Sequence, residues 1–462
     1  MKNKVKFAFI GAGSKSFCPA TVTDILNSER FKSVDNMEIC LMDIQRKPLD
    51  MSHAYCLEVA KYFKRSPTVN ATMNLSEAVD GADFVINAIE KDRFYYWTMD
   101  FHIPRTFGFK SVFGENGGPG GMFHYLRNVG PSVEIAKAME KGCPGAWLLS
   151  YTNPEHKLVE AISKLTKTNA VGLCHAEMMG MDQLAKFTGV PRDDIGAIGC
   201  GINHLGFFTK IWKKSTGEDL YPLLREKEKE ADPLADWDEY AMSRLMFHAF
   251  GVWPYPGANH IGEYIGFANN LLASADMQFF YDPAEVDIWK EKMTPEWIYS
   301  LSSNPADRPL FSVKKAAGGD SEAAYNERFT LNGEPRGSGE YGIPIAESIF
   351  FNEPKYIGAV NVLNNGYITN VLDRMCVEVP ANVDGDGVHP VVCGALPTAA
   401  AAMVSLQGSI HQLLVEAFEE KSRRKLLQAL LIDPTVSTYN NAVALINKMF
   451  EMQAEALPDM KW

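Results

Sequence analysis

The sequence predicts an α/β fold, with a doubly wound parallel sheet in its N-terminal part and a mixed α/β arrangement in its C-terminal part. Residues 1–200 alternate between strand-like and helix-like runs, which is the signature of a parallel sheet covered by helices. A Gly11-Ala12-Gly13 turn separates the first strand-like run from the first helix-like run, and beyond Cys200 the alternation stops. We therefore expect a doubly wound Rossmann-type domain over residues 1–200 and a substrate-binding and oligomerisation domain over residues 201–462.

Six short apolar runs in the N-terminal part have the length and composition of buried strands. They lie at residues 5–10, 37–42, 68–73, 84–88, 146–150 and 170–174. Helix-like runs lie between or after them, at residues 19–27, 47–63, 129–141, 157–165 and 178–186. Six strands in this alternation fit a Rossmann-type sheet.

The C-terminal part has a different pattern. It contains a charged helical stretch, a stretch rich in aromatic residues, proline and glycine, a polar stretch typical of long loops, strand-like runs, and long helices that end near Asp433-Pro434. These segments cover residues 221–250, 253–264, 302–342, 360–380 and 395–431, in that order. Together they predict a mixed α/β domain that packs closely against the first, because no flexible linker separates the two parts.

Composition limits the classes of function. The 462 residues are 46% hydrophobic, which is enough to bury large cores. A formal net charge of −12 argues against nucleic acid and anionic membrane as partners, but it allows a small-molecule substrate. Eight cysteines without framework spacing indicate reduced thiols, and no apolar run is long enough to span a bilayer. These features predict a cytoplasmic protein.

The Gly11-Ala12-Gly13 turn is typical of a dinucleotide site. Glycine there allows a tight turn and a close approach of pyrophosphate, although Ser16 stands where a third glycine is usual. Asp43, at the end of the second strand, can accept hydrogen bonds from ribose hydroxyls, which favours NAD over NADP. A plain glycine turn with a solvated carboxylate, and a strand-end cap at Asn87, are the alternatives. The candidate cofactor-binding residues are Gly11, Gly13, Ser14, Asp43 and Asn87.

Cys174 and His204 are candidate ligands of a transition metal. Cys174 ends the sixth predicted strand, and His204 follows the apolar run 195–202. Thiolate with imidazole suits such an ion better than Mg²⁺ or Ca²⁺, and two protein ligands leave positions open for catalysis. The alternatives are a packed, inert cysteine and a Cys174-His175 nucleophilic dyad. The dyad is disfavoured because neighbouring residues of a strand point apart.

Asn153 and the glycine cluster 117–121 are candidate substrate contacts. Asn153 follows a buried strand, and its amide can both donate to and accept from vicinal hydroxyls. A turn residue before Pro154 is the alternative interpretation of Asn153. The glycine cluster is an anion cradle, a substrate loop or a plain loop.

Taken together, these motifs resemble the NAD- and metal-dependent family 4 glycoside hydrolases. Their order and spacing carry the resemblance over essentially the whole chain, and such enzymes are exceptions to the two-carboxylate rule of glycosidases. The motifs are Gly11-Ala12-Gly13-Ser14, Leu41-Met42-Asp43, residues 83–87, the glycine cluster 117–121, Asn153-Pro154, Cys174-His175, Gly201-Ile202-Asn203-His204, Val377-Glu378-Val379-Pro380 and Ala395-Leu396-Pro397.

The resemblance implies a redox-assisted hydrolysis. NAD⁺ takes hydride from C3 of the sugar, a base removes the acidified C2 proton, and the glycosidic oxygen leaves by elimination. Water then adds and NADH returns the hydride, so the cofactor is not consumed. By this resemblance Cys174 and His204 bind a divalent metal, usually Mn²⁺, and Asn153 binds sugar hydroxyls. It also suggests a homodimer or homotetramer.

Two local features bear on which branch of the family the chain resembles and on which residues serve as acid and base. His175 follows the cysteine, whereas 6-phosphoglycosidases carry Asn or Asp there with Pro two residues beyond. The chain is therefore similar to the branch that hydrolyses unphosphorylated α-glucosides, α-galactosides or α-uronides, with His175 as the candidate acid or as a residue that tunes the site. Ala258 stands where that branch often has the aspartate assigned as the C2 base. The remaining candidates for the base are His260, Tyr255 and Tyr264.

Two other functions fit parts of the pattern. A 2-hydroxy acid dehydrogenase of the malate or lactate type shares the N-terminal architecture, but it would leave Cys174 and His204 without a purpose. A non-catalytic NAD-binding sensor would explain Ala258 but not the retained metal ligands. The leading prediction is an NAD- and metal-dependent α-glycosidase.

Overall fold

The computed structural model describes residues 3–109, 113–230, 241–268, 331 and 333–462, and its centre is one mixed sheet. The N-terminal strands are β1 (Lys4–Ile10), β2 (Asn36–Met42), β3 (Thr68–Thr72), β4 (Phe84–Asn87), β5 (Trp147–Ser150) and β6 (Asn169–Gly172). They pair in parallel in the order β3-β2-β1-β4-β5-β6, which is the Rossmann order. The predicted sheet is confirmed, with shifts of one or two residues at the strand ends.

Helices connect these strands. They are α1 (Cys18–Asn27), α2 (Arg46–Tyr62), α3 (Leu75–Val79), α4 (Arg93–Thr106), α5 (Gly118–Gly142), α6 (Glu155–Leu165) and α7 (Ala176–Thr188). The sequence did not predict α3 and α4, and α5 begins at the glycine cluster rather than at residue 129. Glycine disfavours helix, but a Cβ at Gly121 would lie 2.4 Å from the carbonyl carbon of Asn116. Close packing at the start of α5 therefore requires glycine.

The C-terminal strands extend the same sheet. They are β7 (Ile195–Ile202), β8 (Leu205–Lys213), β9 (Trp253–Tyr255), β10 (Lys355–Leu363), β11 (Cys376–Asp384) and β12 (Gly387–Pro390). The antiparallel pair β10–β11 lies between β6 and β7, and β8 and β9 follow β7. The hairpin of β7 and β8 is thereby joined to the parallel strands.

The predicted C-terminal segments contain helices as well as these strands. The helices are α8 (Tyr221–Glu230), α9 (Ala241–Phe250), α10 (Ala258–Gly262), α11 (Gly342–Phe351), α12 (Thr398–Glu419), α13 (Arg423–Ile432) and α14 (Tyr439–Met452). The predicted helical segment 395–431 corresponds to α12 and α13. Most of the predicted loop segment 302–342 lies outside the described residues, and its last residue begins α11.

A shared apolar core joins the two parts. Side chains of α4, α5, α12, α13 and α14 form one buried cluster that includes Tyr96, Val129, Leu414, Leu430 and Phe450. The division into domains 1–200 and 201–462 stays a prediction, and Cys200 lies within β7. Across the described part of the chain, none of the helices combines the length and the apolar character that a bilayer crossing requires.

Candidate active site

The candidate site lies where the parallel strands end and the β7–β8 hairpin turns. Asn87 ends β4, Ser150 ends β5, and Cys174 comes two residues after β6. Asn203 and His204 form the turn of the hairpin. In the sheet, β10 and β11 lie between β6 and β7. The hairpin turn nevertheless lies at the same edge of the sheet as Cys174, where the two side chains Cys174 and His204 meet. Ligands of doubly wound sheets bind at this edge.

The Gly11–Gly13 turn has the geometry of a dinucleotide site. Gly11 has a φ of +84°, and a Cβ there would lie 2.6 Å from the carbonyl oxygen of Ala88. The N–H groups of Gly13 and Gln45 donate to the Asp43 carboxylate at 2.7 and 2.8 Å. Asp43 therefore stabilises the turn, and each of its oxygens keeps a lone pair for a further donor.

Ser14 directly follows this turn in the sequence, and Asn87 ends β4. The Ser14 hydroxyl accepts from the N–H of Phe17 at 3.3 Å, just before α1. The buried Asn87 amide donates to the Ser150 hydroxyl at 3.4 Å, while its Oδ1 has no hydrogen-bond partner among the described atoms. A buried, unpaired amide oxygen fits a bound ligand that donates to it. The five candidate residues are compatible with a dinucleotide, and their roles stay predictions.

The structure brings together Cys174 and His204, the two predicted metal ligands. The Cys174 Sγ lies 3.6 Å from the His204 Nε2. For zinc, bonds of about 2.3 Å to sulfur and about 2.1 Å to nitrogen, at a tetrahedral angle, place such atoms about 3.6 Å apart. Desolvation and the carboxylates of Glu340 and Glu378 raise the pKa of the Cys174 thiol well above its usual range. A coordinated divalent cation reverses that balance, so spacing and donor chemistry both fit one metal ion.

The local backbone and Asn116 fix the His204 ring. His204 has a left-handed φ of +66° in the hairpin turn, a conformation that costs a non-glycine residue about 1–3 kcal/mol and clusters at functional sites. Its Nδ1 lies 2.7 Å from the Asn116 amide nitrogen, and the Asn116 Oδ1 has no hydrogen-bond partner among the described atoms. Amide nitrogen and oxygen are assigned from such contacts, and with the amide turned over its oxygen accepts from an Nδ1–H, which leaves the Nε2 lone pair for a metal. Burial lowers the pKa of His204 to about 4, so the imidazole is neutral and can ligate.

Two buried glutamates, Glu115 and Glu263, lie next to the His204 ring. The Glu263 carboxylate accepts from the N–H groups of Glu115 and Asn116, and one of its oxygens lies 3.9 Å from the His204 Nδ1. Burial and the Glu115 charge raise the pKa of Glu263. Burial also opposes ionisation of Glu115, but Arg93 and the neighbouring histidines outweigh it and lower the pKa of that carboxyl. Glu115 is therefore the anionic member of the pair.

Asn153 belongs to the same group of side chains. The side-chain amide of Asn153 donates to Oε1 of Glu115 at 3.2 Å, and its backbone carbonyl accepts from the side-chain amide of Asn128 at 2.8 Å. The Asn153–Pro154 peptide bond is cis. Glu115 thereby links Asn153 to the surroundings of His204, and the substrate-binding role of Asn153 stays a prediction.

His260 lies beside His204. Their ring centroids are 4.3 Å apart and nearly perpendicular, and burial lowers the pKa of His260 well below its usual range. Glu115, His204 and His260 also offer ligand atoms that all lie within 4.8 Å of one another. His204 thus belongs to two donor sets, one with Cys174 at 3.6 Å and one with Glu115 and His260.

His175 points to a different partner. Its Nδ1 lies 2.6 Å from Oε1 of Glu340, and its side chain is 55% exposed. The hydrogen bond with Glu340 raises the pKa of His175 although burial opposes it. A raised pKa keeps the imidazole protonated to a higher pH, which suits the predicted acid.

The two candidate tyrosines are buried in different surroundings. Tyr264 donates from its hydroxyl to the Asn203 carbonyl at 3.3 Å, next to His204. Tyr255 packs against Phe208, with ring centroids 4.5 Å apart. Burial raises the pKa of both phenols well above the usual range, so both keep their protons. Ala258 begins α10 directly after Gly257.

Several residues of the site were not assigned by sequence reasoning. Glu263 and Asn203 lie inside motifs noted for other residues, and the Asn203 amide donates to the buried Glu378 carboxylate at 3.3 Å. Glu340 comes from the polar segment and carries no local signal, because its partner is 165 positions away in the sequence. Such contacts exist only once the fold brings distant segments together.

Family models match most of the chain. The family 4 glycosyl hydrolase model covers residues 6–190, and the family 4 glycosyl hydrolase C-terminal domain model covers residues 199–436. The chain belongs to the family 4 glycosyl hydrolases. The predicted resemblance and the predicted enzyme class, an O-glycosyl hydrolase, are thereby confirmed.

Known proteins resemble this family 4 glycosyl hydrolase over nearly its whole length. An alpha-galactosidase of Bacillus subtilis (strain 168) is 28% identical and is matched over 99% of this chain and 100% of its own. An alpha-galacturonidase of Thermoanaerobacter italicus is also 28% identical, over 98% and 97% of the two chains. A 6-phospho-alpha-glucosidase from gut microorganisms, solved in complex with NAD and Mn²⁺, has a TM-score of 0.77 at 21% identity, over 99% and 100%. That structural likeness confirms the fold.

Proposed function

We propose that this family 4 glycosyl hydrolase cleaves unphosphorylated α-glycosides, namely α-glucosides, α-galactosides or α-uronides, with NAD⁺ and a divalent metal, Mn²⁺ in the first instance. The contact between the Cys174 Sγ and the His204 Nε2, at 3.6 Å, is the observation that carries the proposal. It supports a soft metal-binding pair at the sheet edge where a dinucleotide turn also lies, and neither a sensor nor a 2-hydroxy acid dehydrogenase needs that pair.

The chain contains residues that could hold both the metal ion and the dinucleotide. Cys174 and His204 would hold the metal, and Gly11, Gly13, Ser14, Asp43 and Asn87 would hold the dinucleotide. When bound, these groups supply hydride acceptance and return at C3 of the sugar and polarisation of its C2 and C3 oxygens.

The remaining steps belong to this chain's own side chains. Asn153 orients the sugar hydroxyls, and the neutral imidazole of His260 accepts the C2 proton. His175, paired with Glu340, donates a proton to the departing glycosidic oxygen. Over one cycle a single water is consumed, and the proton taken from C2 is replaced.

Two observations support an unphosphorylated substrate. The Cys174-His175 sequence differs from the Cys-Asn or Cys-Asp pattern of 6-phosphoglycosidases. Two cations of the described site are also engaged by other groups: Arg93 pairs with Glu90 and Glu115, and Lys157 donates to the Asn116 carbonyl. We also propose a cytoplasmic enzyme, since an oxidised Cys174 could not ligate a metal, and a homodimer or homotetramer.

The first test is a panel of aryl α- and β-glycosides, uronides and 6-phospho-α-glucosides, assayed with NAD⁺, Mn²⁺ and a thiol reductant. We expect hydrolysis of one unphosphorylated α-glycoside class. We also expect many turnovers for each NAD⁺ supplied, with no steady rise in NADH absorbance, because the hydride returns to the sugar. NADH that accumulates in step with product would indicate a dehydrogenase instead, and preference for the phosphorylated sugars would contradict the substrate assignment.

A further inference from the structure

None of the proposed ligand contacts uses the glycine cluster 117–121, yet the structure packs this cluster tightly. A Cβ at Gly117 would lie 2.7 Å from the Glu263 Cβ, and one at Gly121 would lie 2.6 Å from the carbonyl oxygen of Asn116. Real Cβ atoms essentially never lie within 3.0 Å of such atoms. The two glycines therefore allow the chain to close around Asn116 and around the side chain that binds its N–H group.

Two buried side chains hold the backbone of Asn116 from either end of the residue. The Glu263 carboxyl group accepts from the Asn116 N–H, with its two oxygens 2.9 and 3.1 Å from that nitrogen. The Lys157 side chain donates to the Asn116 carbonyl. Lys157 and Glu263 are each 2% exposed, and polar groups buried to this degree are costly unless they are hydrogen-bonded. Both contacts therefore fix the position of Asn116.

The anchored residue presents its side-chain amide to His204. The amide group lies 2.7 Å from the His204 Nδ1, and Asn116 is fully buried. An amide nitrogen at this position would donate to the Nδ1 lone pair and leave the proton on Nε2, whereas an amide oxygen would accept from Nδ1–H. Only the second arrangement leaves an Nε2 lone pair for a metal ion.

The same contact also sets the direction of the ring. The His204 Nε2 faces the Cys174 sulfur at 3.6 Å, while Nδ1 on the other side of the ring meets Asn116. Histidine ligands of metals usually donate their second ring N–H to an acceptor, which fixes both the tautomer and the orientation of the imidazole. Asn116 is placed to be that acceptor.

We propose that Asn116 is a positioning residue of the metal site, and that the glycine cluster, Glu263 and Lys157 hold it against His204. The Asn116 amide oxygen keeps the imidazole proton on Nδ1 and directs Nε2 toward Cys174. The glycine cluster thus supports the metal site from behind the imidazole and is not an anion cradle. This inference rests on the proposed function, because it requires a metal ion at Cys174 and His204.

Two substitutions of Asn116 test the role, with the Mn²⁺ affinity of the metal-free protein as the readout. The electron paramagnetic resonance signal of unbound Mn²⁺ measures that affinity. Asn116→Leu keeps the size of the side chain but removes the acceptor, so we expect the affinity to fall by about 10- to 100-fold. Asn116→Asp keeps only acceptor oxygens and should stay within about threefold of wild type. A role in packing alone would predict the opposite order, because aspartate buries a charge and leucine does not.

Lys157→Met tests the anchoring of Asn116. It removes the donor to the Asn116 carbonyl, and we expect the Mn²⁺ affinity to fall by about threefold or more. Combined with Asn116→Leu it should cause no further loss, because both substitutions act through the same amide. If Asn116→Leu does not fold, the affinities of Asn116→Asp and Lys157→Met decide. An additive loss in the double variant would contradict the anchoring.

The control is Asn441→Leu on α14, where the side-chain amide donates to the Phe107 carbonyl at 2.8 Å. It removes one amide hydrogen bond away from the site and should retain the wild-type Mn²⁺ affinity. An unchanged affinity in Asn116→Leu, or an equal loss in Asn116→Asp, would overturn the positioning role alone. Wild-type protein that binds neither Mn²⁺ nor Zn²⁺ would instead contradict the proposed function.

Discussion

Replacing Cys174 by serine, or His204 by alanine, should abolish metal retention and hydrolysis together. Each substitution removes one of two donor atoms that lie 3.6 Å apart, and neither a serine hydroxyl nor a methyl group replaces a thiolate or imidazole for a soft ion. With polarisation of the sugar oxygens lost, we expect kcat to fall by about 10³-fold or more. Metal content after dialysis, measured by elemental analysis, and hydrolysis rates on the same sample check this prediction.

Cys393→Ser is the matched control for this experiment. Its sulfur donates to the Val391 carbonyl, a contact that a serine hydroxyl can keep, and it lies outside the candidate site. The control should retain metal and activity. Full activity of Cys174→Ser in metal-free buffer would show that the pair is not the metal site.

His260→Ala is expected to slow exchange of the C2 proton by about 10²-fold or more while substrate binding changes little. The His260 ring lies beside His204, where the sugar oxygens would meet the metal, and it is held neutral by burial. Tyr255→Phe and Tyr264→Phe should have smaller effects, because both phenols keep their protons in buried surroundings. Deuterium incorporation at C2 of the released sugar, followed by mass spectrometry, measures the exchange.

His248→Ala controls for the loss of a histidine. His248 is exposed and pairs with Glu228 on α8, so its removal should leave exchange unchanged. Exchange that survives His260→Ala at the wild-type rate would place the base elsewhere. Loss of exchange in Tyr264→Phe alone would assign the role to that phenol.

The sequence was sufficient for the parallel sheet, because apolar runs define its strands. Cys174 and His204 follow β6 and β7, and the fold brings them together although β10 and β11 lie between those strands. The start of α5 could not be predicted in this way. There the glycines that argue against a helix are required by close contacts with Asp100 and Asn116.

The surroundings of the site depend on contacts between distant segments. Glu340 pairs with His175, and Glu263 binds the backbone of Glu115, across 165 and 148 positions of sequence. The buried contact between His156 and His411 has the same character, since these residues are 255 positions apart. No local pattern marks such partners, because each residue alone is compatible with a solvated surface position.

The most direct test of the central claim is hydrolysis of the preferred α-glycoside by the wild-type enzyme in D₂O, with NAD⁺ and Mn²⁺ present. Elimination after oxidation at C3 requires loss of the C2 hydrogen before water adds, so the account predicts deuterium at C2 of the released sugar. The hydrogen at C3 should be that of the substrate, because it leaves and returns as hydride. Confirmed hydrolysis with the original hydrogen retained at C2 would contradict the account.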